Sequence, residues 1–189
     1  MARLLGVVGS PRRNGNTHAL VSHIMEGAAQ AEAHGDILLL GDLEIQECDG
    51  CHACWQGKPC SKADDMNGVY PRLVASDAIV LGTPVYWYGP TALMKAFVDR
   101  LVYFNCPANR RKIVGKPVVL AIPFEEENPG TAEPVVAFFQ RCLDYLQMRL
   151  VGQILVPGVT RRAEVLERPE RLEEARQLGR RLAGSVEPT

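Results

Sequence analysis

The sequence predicts an α/β protein built on a doubly wound parallel sheet. Five short apolar segments alternate with helical patterns, and this alternation is typical of parallel strands joined by right-handed crossover helices. The segments are continuous apolar runs, as expected for strands that are buried on both faces. A polar turn follows the first strand directly, at the place where α/β proteins commonly bind anions.

The residue pattern supports each element in turn. Strands are predicted at residues 4–8, 36–40, 77–82, 117–122 and 150–156, each of them a short apolar run bounded by turn residues. A helix follows the first strand, because Leu20, Ile24 and Ala28 recur at helical spacing. Further helices are predicted from residue 67, from Pro90, over residues 131–148 and over residues 161–182 with an opening near Pro169. Residues 103–116 are predicted to form a connection or a mobile flap.

The composition is that of an ordinary globular domain. The chain has 189 residues, of which 47% are hydrophobic and 23% charged, so one domain over residues 1–184 with a tail at 185–189 accounts for its length. The formal net charge of −1 does not favour nucleic acid or an anionic membrane as a partner. No apolar run approaches the roughly 20 residues of a membrane span, and no signal peptide precedes the first strand. We therefore expect a cytoplasmic protein.

The turn at residues 9–17 predicts a phosphate site. The free N–H groups and the positive dipole end of the following helix converge there. The turn adds two hydroxyls, two amides and two guanidinium groups, from Ser10, Thr17, Asn14, Asn16, Arg12 and Arg13. Its glycine spacing matches neither the dinucleotide fingerprint nor the P-loop, which favours the terminal monophosphate of FMN. The alternative is an ordinary polar turn with a capped helix.

The loop after the third strand carries three consecutive aromatic residues, Tyr86, Trp87 and Tyr88. In a sheet of this kind the loops after the first, third and fourth strands should meet. A flavin ring needs an apolar wall, and these rings are candidates to pack on it, with Gly89 allowing close backbone approach. Alternatively, the rings cover the local core or form a subunit contact. The third loop, residues 123–130, is acidic, and we assign it no role.

Four of the six cysteines fall in a loop at residues 48–66, where Cys48, Cys51, Cys54 and Cys60 form the pattern CxxCxxCx5C. Clustered cysteines in a cytosolic chain indicate metal or redox chemistry rather than disulfides. Two successive two-residue gaps favour a [4Fe-4S] cluster, whereas zinc sites usually use two separated CxxC knuckles. A loop without metal and a zinc site remain the alternatives.

Three stretches together resemble one family. They are GSPRRNGNT, the cysteine run that closes on Asp64-Asp65-Met66, and TPVYWYGPTALMKAFVDR. The combination resembles the NAD(P)H-dependent FMN reductase superfamily, and within it the iron-sulfur flavoproteins. The resemblance implies a flavodoxin-like fold with strand order 2-1-3-4-5, bound FMN, a [4Fe-4S] cluster on the four cysteines, and homodimers or homotetramers.

The resemblance also implies individual site residues. Contacts to the FMN phosphate are expected from Ser10, Arg12, Asn14, Asn16 and Thr17. Contacts to the flavin ring and ribityl chain are expected from Pro84, Val85, Tyr86, Trp87 and Gly89. Relatives often carry a glycine-rich loop after the fourth strand, whereas this chain has prolines and glutamates there.

The function expected from these features is that of an FMN-dependent oxidoreductase that relays electrons between FMN and a [4Fe-4S] cluster. NAD(P)H is a possible donor, and a small molecule or a protein is the redox partner. Electron relay requires no catalytic acid or base from the chain. The alternatives are a cluster-free NAD(P)H-dependent FMN or quinone reductase, and a non-enzymatic electron carrier.

Overall fold

The computed structural model describes residues 1–186 and contains a five-stranded, wholly parallel sheet in the order β2-β1-β3-β4-β5. The strands are β1 (Arg3–Val8), β2 (His34–Leu39), β3 (Ala78–Gly82), β4 (Pro117–Pro123) and β5 (Arg149–Val156). The predicted fold class and strand order are confirmed. The strand order reverses between β1 and β3, so the loops after these two strands flank the topological switch point.

Helices cover both faces of the sheet. They are α1 (Asn16–Gln30), α2 (Met66–Ala75), α3 (Ala92–Arg100), α4 (Pro107–Arg110), α5 (Glu133–Tyr145) and α6 (Pro169–Gly184). α1 and α6 pack on one face of the sheet, and α2, α3 and α5 pack on the other. None of the helices found in residues 1–186 has the length and apolar character needed to cross a membrane.

α1 and α6 approach each other so closely that glycine is required at the contact. A Cβ atom on Gly179 would lie 1.9 Å from the carbonyl oxygen of Ile24, and one on Gly27 would lie 2.0 Å from that of Arg176. Both distances are far below van der Waals contact, so a side chain at either position would push the helices apart. This packing fixes which face of α1 contacts α6, and it therefore fixes the position of the start of α1 at the switch point.

Three predicted helices differ from the structure. The helix predicted from Pro90 begins at Ala92, because Thr91 caps it by accepting a hydrogen bond from the Met94 N–H at 3.1 Å. The helix predicted over residues 161–182 begins only at Pro169 and follows a 3₁₀ turn, Glu164–Glu167, because proline is favoured at a helix start and disfavours helix before it.

The helix predicted over residues 131–148 is shorter in the structure, with a 3₁₀ turn, Pro129–Ala132, before α5. The segment 103–116 is the connection that the sequence offers as one of two alternatives, and it contains the end of a 3₁₀ turn, Leu101–Asn105, and all of α4. Phe104 and Ile113 anchor the segment in the core. Of the predicted tail, residues 187–189 lie outside the described part of the chain.

Candidate flavin site and cysteine cavity

The carboxyl ends of the strands open into one cavity. Three of its walls are the loops after β1, β3 and β4, which the sequence predicts to meet, and the fourth is the loop after β5. In that order, the lining residues are Ser10, Arg12, Asn16 and Thr17; Pro84, Val85 and Tyr86; Pro123, Phe124 and Glu125; and Val159, Thr160 and Arg162. This crevice is the place where doubly wound proteins bind their ligands.

One wall of the cavity carries several hydrogen-bond donors. α1 begins at Asn16 after Gly15, and no side chain within residues 1–186 caps it, so the first N–H groups of the helix remain open to a ligand. Thr17 lies in this first turn and is only 2% exposed, and Ser10 is buried as well. Arg12 donates one N–H to the backbone of the loop after β5 at 3.0 Å, which holds its guanidinium at the cavity. These donors match the phosphate of a mononucleotide.

The two asparagines of the predicted phosphate site are placed differently. Asn16 lines the cavity, but its amide group donates to the backbone oxygen of Arg161 at 3.0 Å and its oxygen accepts from the Val165 N–H at 3.0 Å. The side chain of Asn16 therefore ties the phosphate loop to the loop after β5. Asn14 is exposed with a left-handed backbone (φ +53°) and lies outside the cavity wall.

The aromatic loop forms a tight hairpin at the other end of the cavity. The N–H and C=O groups of Tyr86 and Gly89 bond each other at 2.9 and 3.0 Å. Trp87 and Tyr88 form the two-residue tip with φ of +50° and +58°, a conformation that costs a non-glycine residue about 1–2 kcal/mol. Tyr86 lines the cavity together with Pro84 and Val85. Trp87 is not among the residues that line it and is 97% exposed.

Sequence reasoning missed the loop after β5. Its Arg162 lines the cavity near the phosphate loop and donates through Nε to the backbone oxygen of Arg13 at 2.8 Å. Glu125, from the acidic loop after β4, also lines the cavity. The available signal was the pair Arg161-Arg162 in the loop after the fifth strand, because the carboxyl ends of neighbouring parallel strands share one edge.

A second cavity lies in the cysteine loop. Cys48, Cys51, Cys54 and Cys60 all line it, and each of them is a free thiol. Cys54 is the most buried of the four, and burial raises the pKa of its thiol. The backbone wraps around the cavity through left-handed residues, Gly50, His52 and Gly57. The structure thus brings together the four cysteines that the sequence singles out.

Four thiols line this cavity, and the described residues show no preformed site for a metal ion. Within residues 1–186, no three cysteine, histidine or acidic side chains lie close enough together to hold one metal ion. In a [4Fe-4S] cluster each thiolate binds a different iron, so the four sulfurs surround the cluster and stand further apart. Four thiols around a common space are therefore compatible with such a cluster.

Two aspartates close the base of the cysteine loop. The N–H groups of Glu44 and Gln46 donate to the carboxylates of Asp65 at 2.8 Å and Asp64 at 2.9 Å, respectively. Burial on its own would raise the pKa of Asp64, but its hydrogen bonds to Arg100 and to the backbone outweigh burial and hold that pKa below its usual value. The carboxylate therefore stays ionised and keeps the two arms of the loop together.

α3 runs from the phosphate loop to the cysteine cavity. At its start, Thr91 donates a hydrogen bond to the carbonyl oxygen of Gly9 in the phosphate loop, and its N–H donates to Thr83 at 3.2 Å. At its end, Arg100 lines the cysteine cavity. Its 9 residues span about 13 Å at about 1.5 Å per residue.

Comparison with known proteins agrees with this architecture. Residues 2–157 match the NADPH-dependent FMN reductase family. An iron-sulfur flavoprotein from Archaeoglobus fulgidus is 30% identical over 186 residues, which cover 98% of this chain and 80% of that protein.

Two solved structures show the same fold at low identity. An NAD(P)H:quinone oxidoreductase from Methanothermobacter marburgensis has a TM-score of 0.73 and 15% identity, over 96% of each chain. A flavodoxin from the domain Archaea has a TM-score of 0.60 and 15% identity, over 98% of this chain and 99% of that one. The extent of the family match, together with the cavity at the switch point, shows that the chain belongs to the NADPH-dependent FMN reductase family and is an FMN-dependent oxidoreductase.

Proposed function

We propose that this oxidoreductase relays electrons between FMN in the switch-point cavity and a [4Fe-4S] cluster held by Cys48, Cys51, Cys54 and Cys60. The observation that carries the proposal is the presence of both cavities in one chain, joined by α3. When bound, FMN exchanges electrons in pairs or singly and the cluster exchanges them singly. The chain binds and orients the two groups.

In this proposal the FMN phosphate lies at the start of α1, where Ser10, Arg12 and Thr17 supply donors, together with the N–H groups of Asn16 and Thr17. Arg162 adds a second guanidinium to this end of the cavity. Pro84, Val85 and Tyr86 form the wall for the ring. Asn14, Trp87 and Gly89 lie outside the cavity wall. We therefore assign Gly89 to hairpin geometry, and flavin contacts from Asn14 and Trp87 stay predictions.

For the cluster, the supporting observations are the four thiols around one cavity and the similarity to an iron-sulfur flavoprotein. Cys54 supplies a buried thiol, and Cys51 supplies an exposed one that lies 3.0 Å from the Ser61 hydroxyl. Asp49 and Lys62 form an ion pair at 3.1 Å that braces the rim of the cavity.

We further propose that the chain works as a homodimer or homotetramer in which a second copy covers the aromatic hairpin. Trp87 is 97% and Tyr88 60% exposed, beside the flavin cavity. Large aromatic side chains are enriched in subunit interfaces. A partner surface over the hairpin would also explain why two strained aromatic residues form its tip.

The composition of anaerobically purified protein tests the two cofactor assignments together. We expect about one FMN, about four irons and about four acid-labile sulfides per chain. Cys54→Ser should lose the iron and keep the FMN. Cys142→Ser is the matched control, since this half-buried thiol lies on α5 outside the cysteine cavity, and it should keep both groups.

Each outcome decides between the alternatives. Iron at background level in wild-type protein would exclude the cluster and support the alternative of a cluster-free NAD(P)H-dependent FMN or quinone reductase. Iron together with FMN, but with almost no NADPH oxidation in the presence of a quinone, would indicate a non-enzymatic electron carrier. Loss of FMN from Cys54→Ser would contradict the separation of the two sites.

A further inference from the structure

Arg100 is a buried cation beside the cysteine cavity. It is the last residue of α3 and only 1% exposed. Its guanidinium forms a two-point ion pair with Asp64, with Nη1 to Oδ2 at 2.5 Å and Nη2 to Oδ1 at 3.0 Å. Asp64 is only 2% exposed, so the pair is internal. A buried guanidinium is costly unless its charge and its N–H groups are satisfied.

The remaining N–H groups of Arg100 reach both arms of the cysteine loop. Nη1 also donates to the backbone oxygen of Gln46 at 2.9 Å, and Nη2 donates to the Sγ atom of Cys60 at 3.3 Å. A guanidinium has five N–H groups. The fifth, on Nε, is buried and finds no acceptor in residues 1–186. One donor of a buried cation is thus aimed at a proposed cluster ligand in the cavity that Arg100 itself lines.

The Asp64 and Gln46 contacts alone would anchor the loop, so the contact with Cys60 needs a separate explanation. A hydrogen bond to a cluster sulfur withdraws electron density from the iron and favours the reduced state, and such bonds are among the factors that set cluster potentials. A donor bonded to Asp64 is also held rigidly, because the carboxylate itself accepts N–H groups from Gln46 and Met66 at 2.9 and 3.2 Å.

We propose that Arg100 is a positioning residue for Cys60, and that its N–H···S hydrogen bond raises the reduction potential of the cluster. This inference rests on the proposed [4Fe-4S] cluster. Tyr70 supports the arrangement, since its hydroxyl donates to the carbonyl oxygen of Arg100 at 3.2 Å and its ring stacks on Tyr103 with centroids 4.0 Å apart.

The test is the midpoint potential of the cluster, measured by redox titration with electron paramagnetic resonance on anaerobically purified protein. Arg100→Lys keeps a cation next to Asp64 but loses the planar fork that reaches Cys60 as well. We expect the midpoint potential of the cluster to fall by at least about 59 mV, which for a one-electron couple corresponds to a tenfold change in the equilibrium constant. The FMN potential in the same sample should not change.

Lys95→Met is the matched control on the same helix. Lys95 pairs with Asp99 on the surface, at 2.7 Å, so its loss should leave both potentials unchanged. An unchanged cluster potential in Arg100→Lys would overturn the inference. Absence of iron from wild-type protein would instead be a failure of the proposed function, and the two results are distinguishable.

A second variant keeps the inference falsifiable if Arg100→Lys folds, binds FMN and lacks iron. Asp64→Asn weakens the ion pair that anchors the cysteine loop, but it leaves the Arg100–Cys60 contact available. If Asp64→Asn keeps its iron, its cluster potential should not fall below the wild-type value, because the Arg100–Cys60 hydrogen bond is kept; a fall of the size expected for Arg100→Lys would contradict the inference. If Asp64→Asn loses its iron to the same extent, anchoring of the loop explains both variants and the specific role of Arg100 is wrong.

Discussion

Arg12→Ala tests the phosphate assignment most selectively. Arg12 lines the switch-point cavity and is held there by one hydrogen bond to the loop after β5. Its neighbour Arg13 carries the same charge, but it pairs with Asp42 at 2.6 Å and lies outside the cavity wall. The two arginines therefore form a matched pair in which only Arg12 is placed to bind a phosphate.

The magnitude follows from the exposure of the side chain. A hydrogen bond to a charged group contributes about 1.5–3 kcal/mol when it is well shielded. Arg12 is an exposed residue, so solvent screening places it at the lower end of this range. A loss of about 1.4 kcal/mol corresponds to a tenfold weaker Kd for FMN.

The assay is fluorescence titration of flavin-free protein with FMN and, separately, with riboflavin, which lacks the phosphate. Arg12→Ala should weaken FMN binding about tenfold and leave riboflavin binding unchanged. Arg13→Ala should change neither affinity. Comparing the two ligands separates loss of a phosphate contact from general damage to the site.

Two results would show that Arg12 does not bind the phosphate. Equal weakening of FMN and riboflavin would mean that Arg12 supports the fold of the loop rather than the phosphate. An effect of Arg13→Ala as large as that of Arg12→Ala would mean that both act only through long-range charge, and the local assignment would fail.

Three further predictions concern stability and assembly. Gly179→Ala should lower the free energy of unfolding by about 3 kcal/mol or more in chemical denaturation, because its Cβ atom would meet the backbone of Ile24. Gly184→Ala is the control, since there is open space around this position, and it should leave the free energy of unfolding unchanged. The pKa of Asp64 is lowered in the folded state, so the stability that its carboxylate contributes is complete above about pH 4 and is lost as the pH falls through the folded pKa. The free energy of unfolding of the metal-free wild type should therefore exceed that of Asp64→Asn by about 3 kcal/mol at pH 7, and the two values should converge in acid. A difference that stays constant with pH would contradict this. Trp87→Gly should relieve about 1 kcal/mol of backbone strain and weaken self-association, measured by sedimentation. An unchanged oligomeric state would show that the hairpin is not part of the subunit interface.

The fold was predictable because its signals are local. Continuous apolar runs mark strands buried on both faces, and the order of strands and helices leaves few topologies for a parallel sheet. The strand limits differ from the prediction by two residues at most. The start of α6 was misjudged because the charged residues before Pro169 have helical composition, while the proline sets the actual boundary.

The parts of the site that escaped prediction depend on long-range contacts. Asn16 looks like a phosphate ligand in its loop, but its amide is used by residues more than 140 positions away. Arg100 ends a helix like an ordinary surface arginine, and only the folded chain brings Asp64 and Cys60 to it. The aromatic hairpin was unexpected because tryptophan and tyrosine rarely adopt left-handed backbone conformations.

The proposed relay requires electrons to pass between the two cavities of this oxidoreductase. The most direct measurement adds NADPH anaerobically to protein that carries iron, with FMN present or removed, and follows the reduced cluster by electron paramagnetic resonance. The account predicts a reduced-cluster signal that appears only when FMN is bound. The same signal at the same rate in flavin-free protein, or no reduction of the cluster in the FMN-loaded protein, would contradict it.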